Sequence, residues 1–287
     1  ADVGYVQENR RMLETDMRIT QDFSMFLKGL SAEVAVAYDN TATFQDIGSK
    51  TYKYEVGYLS EEGLPVSETY GTDSKVQITK SVLSAQLIRA SVEAKLNYDY
   101  TSGKHQLSAS AVYRQDMKEP LENNASYYRQ NIMGFVGYNY GNRYMVDVVG
   151  NYYGTSVLLK GDKFRFYPAV SAGWNLDLLK LRASWGRSAV DELDYGLGNY
   201  FWTGGTGYPF GDGMTVVNGL KEQRLPVYGL NLETADKYNV GVDLRLWKNF
   251  TATAEVYYDH RTNILVANNN VSGILGIDPP KACIGEV

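Results

Sequence analysis

Arg89-Ala-Ser-Val-Glu-Ala-Lys-Leu-Asn-Tyr-Asp-Tyr100 is the stretch that decides the fold. Its even positions, Ala90, Val92, Ala94, Leu96, Tyr98 and Tyr100, are apolar or aromatic; its odd positions, Arg89, Ser91, Glu93, Lys95, Asn97 and Asp99, are polar. Successive side chains on a strand point to opposite faces, so this segment predicts a strand with one apolar face and one wet face. The pattern returns in Leu107, Ala109, Ala111 and Tyr113, in Tyr238, Val240, Val242, Leu244 and Leu246, and in Phe250, Ala252, Ala254, Val256 and Tyr258. Between them stand Gln106, Ser108 and Arg114, then Asn239, Asp243 and Arg245, then Thr251, Glu255 and Asp259. A basic group such as Arg245 on a lipid face near the bilayer midplane costs about 2–4 kcal/mol, and a carboxylate less, so the polar faces must meet a wet lumen or other protein.

Working outward, the same reading predicts ten strands, at roughly 11–23, 30–43, 85–100, 104–115, 128–140, 143–153, 164–174, 179–187, 237–247 and 250–261. Short connections (Met25–Gly29, Thr101–Gly103, Gly141-Asn142, Asn175–Leu178, Lys248-Asn249) alternate with long ones (about 44–84, 116–127, 154–163, 188–236 and 262 onward). In an up-and-down meander every second connection lies at the same end. Outer-membrane barrels keep one end short-turned and let loops grow at the other. A soluble sandwich explains the alternation of each strand but not the segregated loop lengths, nor strands longer than the usual 5–6 residues. The fold class expected is therefore all-β: an antiparallel up-and-down transmembrane β-barrel segment with long extracellular loops.

Composition agrees. The chain has 24 Tyr and 28 Gly against 7 Pro, 2 His and 1 Cys, and tyrosine suits both strands and membrane interfaces. No apolar run reaches the length of about 18 residues that a transmembrane helix needs, as expected where each strand hides only half its side chains in lipid. A net charge of −5 without a basic stripe argues against nucleic acid as a partner. Cys283 alone excludes an internal disulfide framework. The sequence begins at Ala1 without a signal peptide and is read as a piece of a longer protein.

Asn142-Arg-Tyr-Met145, Tyr152-Tyr-Gly-Thr-Ser156, Phe166-Tyr-Pro-Ala-Val-Ser-Ala-Gly-Trp174 and Leu179-Lys-Leu-Arg-Ala-Ser-Trp-Gly186 resemble, in order, the barrel of SusC/RagA-type TonB-dependent transporters, outer-membrane importers of Bacteroidota. Leu230-Asn-Leu-Glu233, Lys237-Tyr-Asn-Val-Gly-Val-Asp243, Tyr257-Tyr-Asp259 and Thr262-Asn-Ile-Leu265 continue the resemblance, as do Arg10-Arg11, Leu27-Lys-Gly-Leu-Ser31 and Tyr52-Lys-Tyr54. Two departures stand out: the segment between Trp174 and Leu179 is shorter than usual, and Ser188-Ala-Val190 replaces a common Thr-Gly-Asn. The resemblance implies a 22-stranded barrel of which residues 1–287 supply about ten strands, with the plug, the TonB box and the C-terminal strands absent. It further implies location in the bacterial outer membrane and a SusD-like surface lipoprotein as partner. The TonB complex would act through the missing plug, on an oligosaccharide or peptide ligand.

No catalytic constellation emerges. His105 and His260 lack metal-ligand spacing and read as interfacial or turn residues, and Cys283 reads as an inert loop thiol. Asp191-Glu-Leu-Asp194 would suit a divalent cation but reads better as a solvated acidic loop. The chain is thus expected to be no enzyme and to carry neither cofactor nor metal. The most suggestive segment is the aromatic, glycine-rich loop containing Tyr195, Tyr200, Phe201, Trp202, Tyr208 and Phe210. Its rings suit packing against a lid or plug, the first reading, and stacking on a ligand, the second. Tyr52, Tyr54, Tyr58 and Tyr70 in the 44–84 loop invite the same argument more weakly. The function expected is nutrient import; a non-transporting surface β-protein for adhesion or ligand binding is the alternative, and a soluble carbohydrate-binding sandwich a third reading.

Overall fold

A computed structural model describes all residues except 1–3, 122–125, 160, 195, 206, 212–214, 247–249 and 269–278. The strands, in chain order, are β1 (Tyr5–Asp22), β2 (Leu30–Ser49), β3 (Tyr54–Leu59), β4 (Pro65–Tyr70), β5 (Gln77–Ser102), β6 (His105–Pro120), β7 (Tyr127–Tyr140), β8 (Tyr144–Thr155) and β9 (Phe164–Leu176). They continue with β10 (Leu179–Val190), β11 (Phe201–Gly204), β12 (Tyr208–Phe210), β13 (Thr215–Val217), β14 (Leu220–Arg224), β15 (Glu233–Leu246), β16 (Phe250–Thr262), β17 (Ile264–Ala267) and β18 (Lys281–Gly285). Ten of them hydrogen-bond in the order β1-β2-β5-β6-β7-β8-β9-β10-β15-β16, and the other eight pair as β3-β4, β11-β14, β12-β13 and β17-β18.

The ten sheet strands are those the alternation predicts, and they run further at the ends that meet the long connections. β1 begins at Tyr5, β2 continues to Ser49 and β5 starts at Gln77. The chain divides into two compact units. One comprises Ala1–Asp16, Ala37–Ala90 and Lys118–Ser126; the other comprises Met17–Val36, Ser91–Met117 and Tyr127–Val287.

In the first unit, contacts across neighbouring strands carry the pairing beyond the alternating pattern. The Arg11 guanidinium lies 4.8 Å from the centre of the Phe44 ring. Gln45 Nε2 donates to Glu8 at 2.7 Å, and the amide of Ser81, a residue with φ of 56°, donates to Asp46 at 2.7 Å. The β3–β4 hairpin belongs to this unit.

In the second unit the register between β7 and β16 stacks like with like. Val136, Val148, Val170, Trp185, Tyr238 and Tyr258 are successive partners across six strands; so are Tyr138, Val146, Ala172, Ala183, Val240 and Val256. One residue along, the rows turn polar: Gly137, Asp147, Ser171, Ser184, Asn239 and Tyr257. Because the side-chain period is two, a single-residue slip of any strand would exchange these faces, so the hydrophobic contrast pins the register.

The apolar face is not covered: Val136, Val148, Val170, Val240 and Val256 are 40–74% exposed. A bare face of aligned valines and aromatics suits lipid as its solvent.

Aromatic residues border this face. At the short-turn end Tyr140, Tyr144 and Trp174 stack successively at 6.4 Å, and His105 lies 4.9 Å from Tyr140. Toward the long-loop end stand the Tyr152–Phe164 and Tyr238–Tyr258 pairs. His105 and His260 lie at or near strand ends, hydrogen-bonded to Tyr138 and Glu286 at 2.8 Å each.

The short turns follow from local chemistry. Gly141 and Asn142 both have φ near +57°, the geometry for which Asn and Gly are preferred in hairpins. Leu176 pairs directly with Leu179, leaving only Asp177 and Leu178 as the turn, which explains the shortened segment after Trp174. No helix of the described residues is long and apolar enough to cross a membrane.

Candidate solute-facing site

Three parts of the second unit converge on chemistry: the polar face of the sheet, the foot of the loop that follows β10, and the hairpin which that loop carries. On the polar face Arg182 occupies a row flanked by Gly173 and Gly241. A side chain at Gly241 would meet Arg182 Nε at 2.6 Å, so the glycine leaves room for the guanidinium to lie across β15. Arg182 then reaches Glu255 on β16 at 3.3 Å and Asp243 at 3.6 Å. Asn239 donates to Glu255 at 2.6 Å, Thr253 to Asp243 at 3.0 Å and Ser171 to Asp147 at 3.1 Å. Arg182, Glu255, Asn239, Ser171 and Asp147, with Lys180, line a hollow of about 300 Å³. Arg182 and Glu255 remain more than a third exposed, so the pair contributes at most about 1 kcal/mol. Its effect is a wall of both charge signs that water and polar solutes can wet.

At the foot of the loop, Asp191 reaches back from the end of β10 to β8 and β7. Arg129 grips both its carboxylate oxygens, Nε at 2.6 Å and Nη2 at 2.9 Å, and the Tyr153 hydroxyl donates to it as well. The bidentate fork fixes direction as well as distance. Of the acidic trio read as solvated, Asp191 is thus the anchor of the loop. Among the described residues no group of three or more His, Cys, Asp and Glu is placed to hold a metal.

Above this clasp lies a buried cluster built almost wholly from loop residues. Leu158, Leu197, Val227, Leu230 and Leu232 are 0–6% exposed, and Tyr153, Ala189, Leu193, Leu265 and Cys283 pack against them. Burying each of the large aliphatics contributes about 1.5–3 kcal/mol. The Val227 amide donates to Leu197 O at 2.8 Å, joining the two arms of the loop. The motif Leu230-Asn-Leu-Glu233 is therefore structural. Both of its leucines fill the cluster, and the Asn231 amide faces the Cys283 thiol at 3.5 Å. Cys283, read as an inert loop thiol, is part of this packing.

On that plinth stands the aromatic hairpin. β11 pairs β14 and β12 pairs β13, with a Gly205–Gly219 bond of 2.8 Å continuing the ladder between them. Tyr200 shares a hydrogen bond with Tyr228 at 3.3 Å, Phe201 lies under Arg224 at 5.5 Å, Trp202 pairs with Glu222 and Tyr208 with Val217. The Phe210 backbone pairs with Thr215; its side chain, and all of Tyr195, lie outside the described residues. Tyr200, Phe201, Trp202 and Tyr208 are 49–71% exposed. Within the β11–β14 pair the register shifts between Phe201 and Trp202. The structure gathers Tyr200, Phe201, Trp202 and Tyr208 on one projection.

Sequence reasoning missed the Arg129–Asp191–Tyr153 clasp and the plinth. It also missed Glu68, which in the first unit accepts hydrogen bonds from Tyr58 and Tyr70. Alternation around Gly63 (Tyr54, Val56, Tyr58 and then Val66, Glu68, Tyr70) carries the signal for that hairpin.

These features define an outer-membrane β-barrel wall: lipid-facing rows, aromatic borders, a wet inner face and structured loops at one end. Within that class the fold is similar to part of the barrel of TonB-dependent transporters. The RagAB peptide importer in its closed-closed state superposes with a TM-score of 0.73 at 13% identity, over 100% of this chain and 33% of that chain. Its open-open state gives 0.72 at 13% identity, over 99% and 33%. The siderophore receptor PirA from Acinetobacter baumannii gives 0.51 at 13% identity, over 92% and 37%. In sequence, the TonB-dependent receptor P26 of Formosa agariphila is 23% identical over 171 residues, 54% of this chain and 16% of that protein. No protein-family model matches the chain. The chain therefore spans about a third of the solved transporter chains and about a sixth of the curated relative.

Proposed function

We propose that this chain is a wall segment of a TonB-dependent outer-membrane importer that takes up a peptide or an oligosaccharide captured with a SusD-like surface lipoprotein. The observation that carries the reading is the two-faced register of the second unit. Six consecutive strands keep alternate rows apolar toward lipid, while the row between offers Asp147, Ser171, Ser184 and Asn239 toward the interior. The likeness in fold to the RagAB importer supports it. In this reading the plug and the segment that meets TonB belong to the rest of the polypeptide. The Arg182–Glu255–Asp243 wall hydrates the route, and the loop clasped by Asp191 presents Tyr200, Phe201, Trp202 and Tyr208 to the lid or to the solute. Tyr195 and Phe210 belong to the same proposed surface. The process requires capture, release of the plug and passage, and no covalent step.

Isolation of the intact protein from its outer membrane, with mass identification of what co-purifies, tests this. A stoichiometric lipoprotein together with a chain of about three times this length, as the 33% coverage of RagAB implies, is the expected result. A lone chain without plug or lipoprotein refutes the importer reading and leaves a surface β-protein for adhesion.

A further inference from the structure

The β3–β4 hairpin differs from the rest of the chain in charge and in surface chemistry. Residues 54–73 contain five carboxylates (Glu55, Glu61, Glu62, Glu68, Asp73) and no Lys, Arg or His, so this segment alone carries −5, the net charge of the whole chain. Its register pairs Tyr54 with Tyr70, Val56 with Glu68 and Tyr58 with Val66, which places three tyrosines, two valines and a single carboxylate on one face. The Tyr54 and Tyr70 rings stack 5.8 Å apart, and Tyr54, Tyr58 and Tyr70 are 45–58% exposed.

Glu68 is held in a frame. The Tyr58 hydroxyl donates to its Oε1 at 2.6 Å and the Tyr70 hydroxyl donates to its Oε2. A phenol has one hydrogen to give, and both are committed to Glu68. What Tyr58, Glu68 and Tyr70 then offer outward is acceptors: the remaining carboxylate lone pairs, the two phenol oxygens, and ring faces with negative quadrupoles. A sugar hydroxyl, which both donates and accepts, finds half a partner here. An ammonium or guanidinium, which only donates and is drawn to carboxylate and ring alike, finds a full one. The two phenols also hold the Glu68 carboxyl below its usual range, so it is ionised wherever the other carboxylates are. Around Tyr58 and Val66 the hairpin opens a hollow of about 400 Å³, completed by Gly57, Leu59, Pro65 and Ser67, with apolar surface for the stem of a Lys or Arg side chain.

We propose that the β3–β4 hairpin is a recognition arm for cationic side chains of a peptide, with a Lys ammonium or Arg guanidinium seated against Glu68 among Tyr54, Tyr58 and Tyr70. This deepens the importer reading, on which it rests, by choosing peptide over oligosaccharide.

The test is calorimetric titration of the intact purified protein with three probes: a decapeptide bearing Lys and Arg, the same peptide with acetyl-lysine and citrulline in their place, and a neutral oligosaccharide of similar mass. The basic peptide binds most tightly, and Glu68→Gln weakens it about five- to tenfold, the range of one exposed cation–π and ion-pair contact. Glu55→Gln removes the same charge from the opposite face and changes its affinity less than twofold. Equal binding of basic and neutral peptides, or equal losses for the two variants, overturns the proposal. Cellular uptake separates the two readings. Energised import that ignores both peptide charge and Glu68 leaves the importer standing without the arm. Charge-dependent binding without any uptake leaves the arm and removes the importer.

Discussion

Val148 and Val149 are neighbours of one residue type on β8, and the fold assigns them to opposite solvents. Val148 stands four residues from Tyr144 and four from Tyr152, about 13 Å along the strand from each aromatic border, so it marks the middle of the lipid band. Its partners are Val136 and Val170, and it is 49% exposed. Val149 lies on the inner face between Phe135 and Ala169, two residues from both Asp147 and Asn151 on that same face. Arginine at a lipid-facing midplane position costs about 2–4 kcal/mol, whereas the inner face is wet. Val148→Arg should therefore lower the folding equilibrium constant by about 30- to 900-fold, and Val149→Arg by about tenfold at most. The assay is folding of the intact protein into thin lipid vesicles across a urea series, read by the mobility shift between folded and heat-denatured barrel on gels. A larger cost for Val149→Arg, or no cost for either, would refute the assignment of faces and with it the membrane reading.

Leu197→Ala, at a fully buried side chain of the loop cluster, should cost about 2–5 kcal/mol locally. The readout is faster protease cleavage between β10 and β15 with the barrel band unchanged. Arg129→Ala leaves Asp191 and Tyr153 without their cation, and is expected to raise deuterium exchange in residues 191–199 while sparing β7 and β8. Gly241→Val forces Arg182 off Glu255; vesicle conductance or solute-uptake selectivity should change while folding yield falls by less than for Val148→Arg. In the β3–β4 hairpin the Glu68 carboxyl is held low by Tyr58 and Tyr70, whose own phenols are pushed above 10 by that hydrogen bonding. The carboxylate's contribution is present above the ordinary carboxylate range and is lost as pH falls through its depressed value. The phenols' contribution is present below pH 10 and is lost as pH rises through theirs. Glu68→Gln should therefore shift part of the tyrosine absorbance titration at 295 nm to lower pH; an unchanged titration would deny the frame.

The loops show how a site escapes sequence reading. Arg129 and Asp191 are 62 residues apart, and nothing local marks either as the other's partner. The cluster draws Leu158 from one connection and Leu197, Val227, Leu230 and Leu232 from distant parts of another, so no periodic stripe announces it. The strand ends beyond the alternating segments, such as Tyr5–Arg10 and Phe44–Ser49, were likewise invisible. There the pairing is accompanied by cross-strand contacts such as Arg11 on Phe44 and Gln45 on Glu8. Composition did flag the Tyr200–Tyr208 segment, because clustered rings and glycines are a local signal. What those rings pair with, Glu222 opposite Trp202 and Val217 opposite Tyr208, depended on the register of the hairpin.

The sequence by itself determined the sheet. Ten strands, their antiparallel order and, in the segments that alternate cleanly, the split into an apolar and a polar face follow from a period of two, since each strand must satisfy two solvents at once. Only the tertiary structure decided the clasp at Asp191, the plinth beneath the aromatic hairpin and the tyrosine frame around Glu68. Those depend on groups that chain topology brings within a few ångströms, and a linear pattern carries no record of distances between residues it does not repeat.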